Sequence, residues 1–222
     1  MSKYTVQSVL EGFFTPIAAV QVADIDAYPI PEPEQDIVSG AVQRRQQEFS
    51  SGRWCARQAL KMLNIYCPYI GVGELHQPLW PQGVIATISH DINLSVAVVI
   101  PEAEVPWMNI GVDLINLSAE KNTLTGLAYL FIYNEDELQL VATLTERVQS
   151  EMVLFSLKEC AVKALSKVSG KFIDLRELRF LKVDKQFYCH YLEMKYCCEI
   201  LVKETESFLV TAIKVYPPQA DH

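Results

Sequence analysis

Apolar positions recur along this chain in two rhythms, and the switches between them mark out its elements. From about residue 36 to 64 the rhythm is helical, with Val42, Phe49, Ala56, Ala59, Leu60 and Leu63 supplying the side expected to be buried. Arg44, Arg45, Arg53 and Arg57 punctuate the same segment. Ahead of it, residues 1–28 mix short apolar runs with single acids and suggest strands at the edge of a first sheet. The stretch Tyr28-Pro29-Ile30-Pro31-Glu32-Pro33-Glu34 reads as a stiff, extended connector, because each proline fixes its own backbone and restrains its predecessor. Residues 67–83 are loop-like, broken by Pro68, Gly71, Gly73, Pro78, Pro81 and Gly83. Residues 84–89 and 94–100 then read as paired strands joined by the turn His90-Asp91-Ile92-Asn93, which leaves His90 at a strand end.

Residues 101–106 look like a linker and mark the expected boundary between two halves, 1–106 and 107–222. Beyond it, residues 110–115 read as a strand whose alternation sets Gly111, Asp113 and Ile115 on one face and Ile110, Val112 and Leu114 on the other. Residues 117–148 look helical or loop-like, with an acidic cluster at Glu135-Asp136-Glu137. A second long helix follows, centred on Phe155-Ser156-Leu157-Lys158-Glu159-Cys160-Ala161-Val162-Lys163. Val153, Leu157, Cys160, Ala161, Ala164 and Val168 recur on its inward side. Glu159 and Lys163 stand four apart and lie one above the other, while Lys158 sits round the cylinder by roughly a hundred degrees. Residues 173–215 are β-rich. The expected fold class is therefore α/β (α+β): two similar halves, each with antiparallel strands and a long helix, though without a letter-level repeat.

Composition narrows the function classes. A net charge of -8 argues against a broad nucleic-acid surface, which needs clustered Lys and Arg, but allows a small anion held by a few local basic residues. The six cysteines and four histidines show neither a CxxC pair nor zinc spacing, so reduced thiols are expected. No basic n-region and apolar h-region open the chain, and no apolar run approaches the roughly 20 residues that span a bilayer. A cytoplasmic protein without a membrane span is expected.

Glu159 between Lys158 and Lys163, beside a buried face, suits a metal and a phosphate together. On its own it is also an ordinary surface ion pair worth about 0.2–0.5 kcal/mol. Four further pieces change the odds: RRQQEFSSGRWCA from Arg44, QPLWPQG from Gln77, Ile88-Ser89-His90, and Ile110-Gly111-Val112-Asp113. With FSLKECAVK, in this order and spacing over about residues 41–168, they resemble the 4′-phosphopantetheinyl transferases, specifically the enterobactin synthetase component D-like branch of the surfactin-type group. The resemblance implies a pseudo-twofold monomer whose halves clasp coenzyme A. The nucleotide end would lie with the first half, and metal and catalysis with the second. It implies that a serine of an apo acyl, peptidyl or aryl carrier protein attacks the β-phosphate of coenzyme A, takes up the phosphopantetheine arm and releases 3′,5′-ADP. It further implies Mg²⁺ held by Asp113 and Glu159. Glu159 would accept the serine proton, directly or through a metal-bound water; Lys158 and Lys163 would contact the pyrophosphate, and Lys163 would also act in catalysis by stabilising the transferring phosphoryl group. Arg45, Arg53, Ser89 and His90 would bind the nucleotide end, chiefly its 3′-phosphate. Arg57 is expected on an exposed helix face, and Trp54 and Trp80 in packing roles.

The chain departs from the family pattern where a second acid commonly follows the first by two residues. Ile115 stands there instead. Either water fills the vacancy, which Mg²⁺ tolerates, or the site binds coenzyme A without turning it over. The joint presence of Asp113, Glu159, His90 and both lysines favours the first, and on that basis Ile115→Glu is expected to lower the Mg²⁺ requirement. His76 stands where a basic residue is common, and Ala86-Thr87 replace an expected Gly-Ser. The rival function is a catalytically silent coenzyme A-binding or scaffold subunit of a synthetase assembly.

Overall fold

A four-residue repeat opens the chain. Val6, Leu10 and Phe14 are fully buried along one side of helix α1 (Ser2–Phe14), where edge strands were expected. Spacing by four puts all three on one helix face, a stronger signal than the short apolar runs around them. The computed structural model describes residues 2–107, 109–118 and 129–218, so part of the segment read as helical or loop-like, 119–128, lies outside it.

Strand β1 (Ala19–Asp24) follows, and the proline-rich connector stays extended only to Pro31. Helix α2 (Glu32–Val38) starts immediately, with Pro33 in a first turn that needs no proline N–H. The expected single helix is thus two. It restarts as α3 (Gln43–Met62) with Val42 as its N-terminal cap, 75% exposed rather than buried. The loop that follows contains a short hairpin, β2 (Gly71–Val72) and β3 (Pro78–Leu79). Strands β4 (Val84–Asp91) and β5 (Leu94–Pro101) pair across a turn at Ile92 and Asn93, and β1 adds to the other edge of β5. On this antiparallel sheet Cys55, Ala56, Ala59 and Leu60 of α3 pack against Ala19, Ala97 and Val99.

The chain divides into two compact units, Met1–Val105 and Pro106–His222. The second holds β6 (Asn109–Asn116), helices α4 (Glu135–Ala142) and α5 (Ser150–Ser169), and strands β7 (Leu178–Val183), β8 (Gln186–Tyr191), β9 (Met194–Glu204) and β10 (Phe208–Val215). They form one antiparallel sheet in the order β6-β10-β9-β8-β7. The acidic cluster is the first turn of α4, where carboxylates oppose the positive end of the helix dipole. Helix α5 carries Val153, Leu157, Cys160, Ala161 and Ala164 inward, all fully buried; Val168, in its last turn, is half exposed. A left-handed glycine, Gly170, ends the helix.

One residue sets how close α5 comes to β6. A Cβ built on Gly111 would lie 1.9 Å from the carbonyl oxygen of Cys160, so only glycine permits this approach. Asp113 and Ile115 share Gly111's face, which is the face α5 covers. The architecture is the expected mixture of antiparallel sheets and helices. Among the described residues, no helix is long and apolar enough to cross a membrane.

Candidate active site

Helix α5 lowers three polar side chains onto the carboxylate of Asp113 or beside it. Asp113 Oδ1 accepts from Lys163 Nζ at 2.8 Å, and Oδ2 accepts from Ser156 Oγ at 2.8 Å. Lys163 Nζ also donates to the carbonyl of Val112 at 2.9 Å. Burial pulls the Lys163 ammonium down, but the charge and hydrogen bond of Asp113 outweigh it, aided by Cys160 and Glu159, and its pKa ends up raised. One turn earlier on the helix, Glu159 feels both neighbours. Its pKa is raised, mainly by burial; Lys163 opposes the shift and Asp113 adds to it. Among the described residues no hydrogen bond satisfies the Glu159 carboxylate.

Two carboxylates within electrostatic reach, one of them desolvated, are a donor set for a hard divalent cation. Among the described residues no three His, Cys, Asp or Glu side chains converge. A cation here would therefore take its remaining ligands from water and a bound phosphate, as Mg²⁺ readily does.

The first unit carries a separate polar cluster, at the start of α3 and the end of β4. Arg45 reaches His90 Nε2 at 3.2 Å, and Glu48 accepts from Arg44 at 3.1 Å and Arg45 at 3.4 Å. Burial pushes the Glu48 carboxyl up, but Arg44, His90 and Arg45 together bring it below the usual range. Arg44 and Arg45 remain more than half exposed, so this corner presents two guanidinium groups to solvent.

Residues 32–100 match the family model of the 4′-phosphopantetheinyl transferase N-terminal domain, and residues 109–213 match that of the 4′-phosphopantetheinyl transferase superfamily. The chain belongs to the 4′-phosphopantetheinyl transferase superfamily. Its relatives include enterobactin synthase component D of Salmonella typhimurium, 29% identical over 153 residues, covering 66% of this chain and 62% of the relative. The 4′-phosphopantetheinyl transferase Npt of Nocardia iowensis is 27% identical over 69% of this chain and 65% of its own length. PptT of Mycobacterium tuberculosis is 25% identical over 67% of this chain and 63% of its own length. The matched region thus spans less than two thirds of each of these relatives.

Within this chain, two expected site residues, Lys158 and Arg53, lie elsewhere than anticipated. Lys158 is fully buried, and its ammonium donates to the Phe131 carbonyl at 2.7 Å, the Leu178 carbonyl at 2.7 Å and Glu137 at 2.9 Å. All three donors are consumed, so the expected pyrophosphate contact is corrected to an internal brace. Glu137, also fully buried, accepts in addition from the backbone N–H groups of Tyr133 and Phe180. The clue was legible: Leu154, Lys158, Ala161 and Leu165 fall on one helix face, and that face is the core.

Arg53 is 4% exposed and donates to the carbonyls of Ile70 and Gly71, at 2.6 Å and 3.2 Å, with its guanidinium over Phe49. A direct phosphate contact would require those bonds to be exchanged, so Arg53 is a strut under the β2–β3 loop. Arg57 is not on a solvated face either. It pairs with the fully buried Glu34 at 3.0 Å, and Glu34 also accepts from Ile70 N–H. Trp54 stacks on Tyr28, and Trp80 packs against the same core, in the packing roles expected of them.

Ser89 is buried beside His90, and His76 sits exposed at the tip of the β2–β3 turn with φ +60°. Ile115 is 5% exposed within the apolar cluster under α5. A carboxylate at this position would have to be buried in that apolar cluster. Ser156, which donates to Asp113, and Thr211, which contacts Ser156, carry no signal in the sequence, since isolated hydroxyl residues show no periodicity.

Proposed function

We propose that this chain is a Mg²⁺-dependent transferase that moves the 4′-phosphopantetheine arm of coenzyme A onto a serine of an apo carrier protein and releases 3′,5′-ADP. The pathway suggested by the resemblance is nonribosomal peptide or siderophore biosynthesis. The observation that carries the reading is the Asp113–Lys163 pair at 2.8 Å with Glu159 one helical turn away, in a chain whose two family matches cover both units. Asp113 and Glu159 would hold the cation, which would absorb the negative charge that builds as the diphosphate is split. Lys163 would exchange its hold on Asp113 for a phosphate oxygen and meet the charge that develops there. A desolvated, raised Glu159 is a better proton acceptor near neutral pH than an ordinary carboxylate, which suits it to the carrier serine, directly or through water. Arg45, Ser89 and His90 of the first unit would take the nucleotide end, with Arg53 bracing the loop behind them.

Incubating the protein with coenzyme A, Mg²⁺ and an apo carrier should add a phosphopantetheine arm to the carrier, read by intact mass. Asp113→Ala and Glu159→Ala should abolish that gain. Ile115 favours a second reading, a coenzyme A-binding scaffold, because it removes one acid from the metal's neighbourhood. Unmodified carriers across several types, with coenzyme A binding intact, would establish the scaffold instead.

A further inference from the structure

The hydroxyls of Ser156 and Thr211 form a chain whose direction follows from donor counting. Thr211 on β10 lies directly opposite Asp113 on β6 in the sheet register, and Ser156 reaches down from α5 between them. Ser156 Oγ is 2.8 Å from Asp113 Oδ2 and 2.6 Å from Thr211 Oγ1; Ser156 and Thr211 are fully buried. The ion-paired carboxylate of Asp113 can only accept, so the single Ser156 proton goes to Oδ2. The Ser156 oxygen must then accept in the 2.6 Å contact, and Thr211 donates. Cys160 Sγ stands 3.3 Å from Thr211 Oγ1 and donates its weak S–H to the Thr211 carbonyl at 3.5 Å. The polarity of the chain runs one way, from Thr211 through Ser156 onto Asp113.

We infer that Ser156 and Thr211 are positioning residues for the cation site, fixing the Asp113 carboxylate plane so that Oδ1 faces Lys163 and the side shared with Glu159. The inference rests on the metal-binding reading of Asp113 and Glu159 above. Without Ser156 the carboxylate loses one of the hydrogen bonds that fix its plane. A buried Oδ2 would also lose its hydroxyl donor, and Thr211 would lose its acceptor. A hydroxyl fixed in this way by a second hydroxyl carries no charge of its own, so it orients the ligand without competing for the cation. Partners of this kind, hydrogen-bonded to a metal ligand, typically change metal affinity by about 10–100-fold.

The test is Mn²⁺ binding to the whole protein, followed by electron paramagnetic resonance without coenzyme A or carrier, with thermal melting recorded on the same samples. Ser156→Ala should weaken Mn²⁺ binding by about tenfold or more. Thr211→Val, which removes the hydroxyl at nearly constant volume, should weaken it less, and Thr211→Ser should restore it. Equal Mn²⁺ affinity in wild type and Ser156→Ala would overturn the positioning role, even if the melting temperature drops. Absence of Mn²⁺ binding in the wild type overturns the metal-site reading itself, and the inference with it.

Discussion

Lys158 and Lys163, five residues apart on one helix, divide structural and chemical duty between them. Lys158 is sealed, with every donor spent on the protein. Burial pulls its pKa down, and Glu137 pulls it back only in part. Lys163 is a quarter exposed and bound to the carboxylate of Asp113, whose charge Glu159 also feels. The two substitutions should therefore separate. Lys158→Met leaves Glu137 buried without its counter-charge and should cost about 3–5 kcal/mol of stability, visible in urea unfolding. Adding Glu137→Leu should recover only part of this, because Tyr133 and Phe180 N–H would lose their acceptor. Lys163→Ala should leave the unfolding midpoint much closer to wild type. In the carrier-loading assay it should lower kcat by about 10²–10³-fold, the usual effect of removing one transition-state donor. Ile115→Glu belongs to the first class: a carboxylate forced into the apolar cluster should lower stability before it can help the cation.

The decisive contact between elements is the crossing of α5 over β6 at Gly111. Every hydrogen bond that α5 makes to Asp113 depends on that approach, since Ser156 and Lys163 sit one turn to either side of Cys160. Gly111→Ala must push the helix away from the strand. It should cost about 1–3 kcal/mol as overpacking, and it should reduce carrier loading far more than an equally destabilising change at a core position of the first unit such as Ala59. Matched loss at both positions would show that the crossing does not set the site. Much of this was legible in sequence. Alternation placed Gly111, Asp113 and Ile115 on a common face, and the helical period stacked Glu159 over Lys163. What stayed hidden depends on partners distant in the chain. Glu137 is 21 residues from the lysine it neutralises, and Thr211 is 55 from Ser156. Helix α1 departs from the expected strands for a different reason: its short apolar runs resemble strands, while Val6, Leu10 and Phe14 at a spacing of four line one helix face.

Across the whole molecule the six free thiols report on the two cores. Cys55 lies in the cluster under α3, whereas Cys160, Cys189 and Cys198 belong to the cluster under α5. Burial pushes Cys55 and Cys189 each up to about 12, and raises Cys160 and Cys198 strongly as well. Only the thiolate reacts with an alkylating reagent, so these four combine poor access with a negligible reactive fraction at neutral pH. Cys67 and Cys197 are half-buried, and burial raises them as well, but a reagent can reach them. Peptide-level mass spectrometry after brief alkylation of the native protein should find label on Cys67 and Cys197 alone. Under increasing urea, Cys160, Cys189 and Cys198 should become reactive together, because one packed cluster opens as a unit. Cys55 should follow its own midpoint, set by the separate cluster of Met1–Val105. A single midpoint for all four would mean that the two units unfold as one cooperative body, and the mutations argued above would then have to be compared against that shared transition.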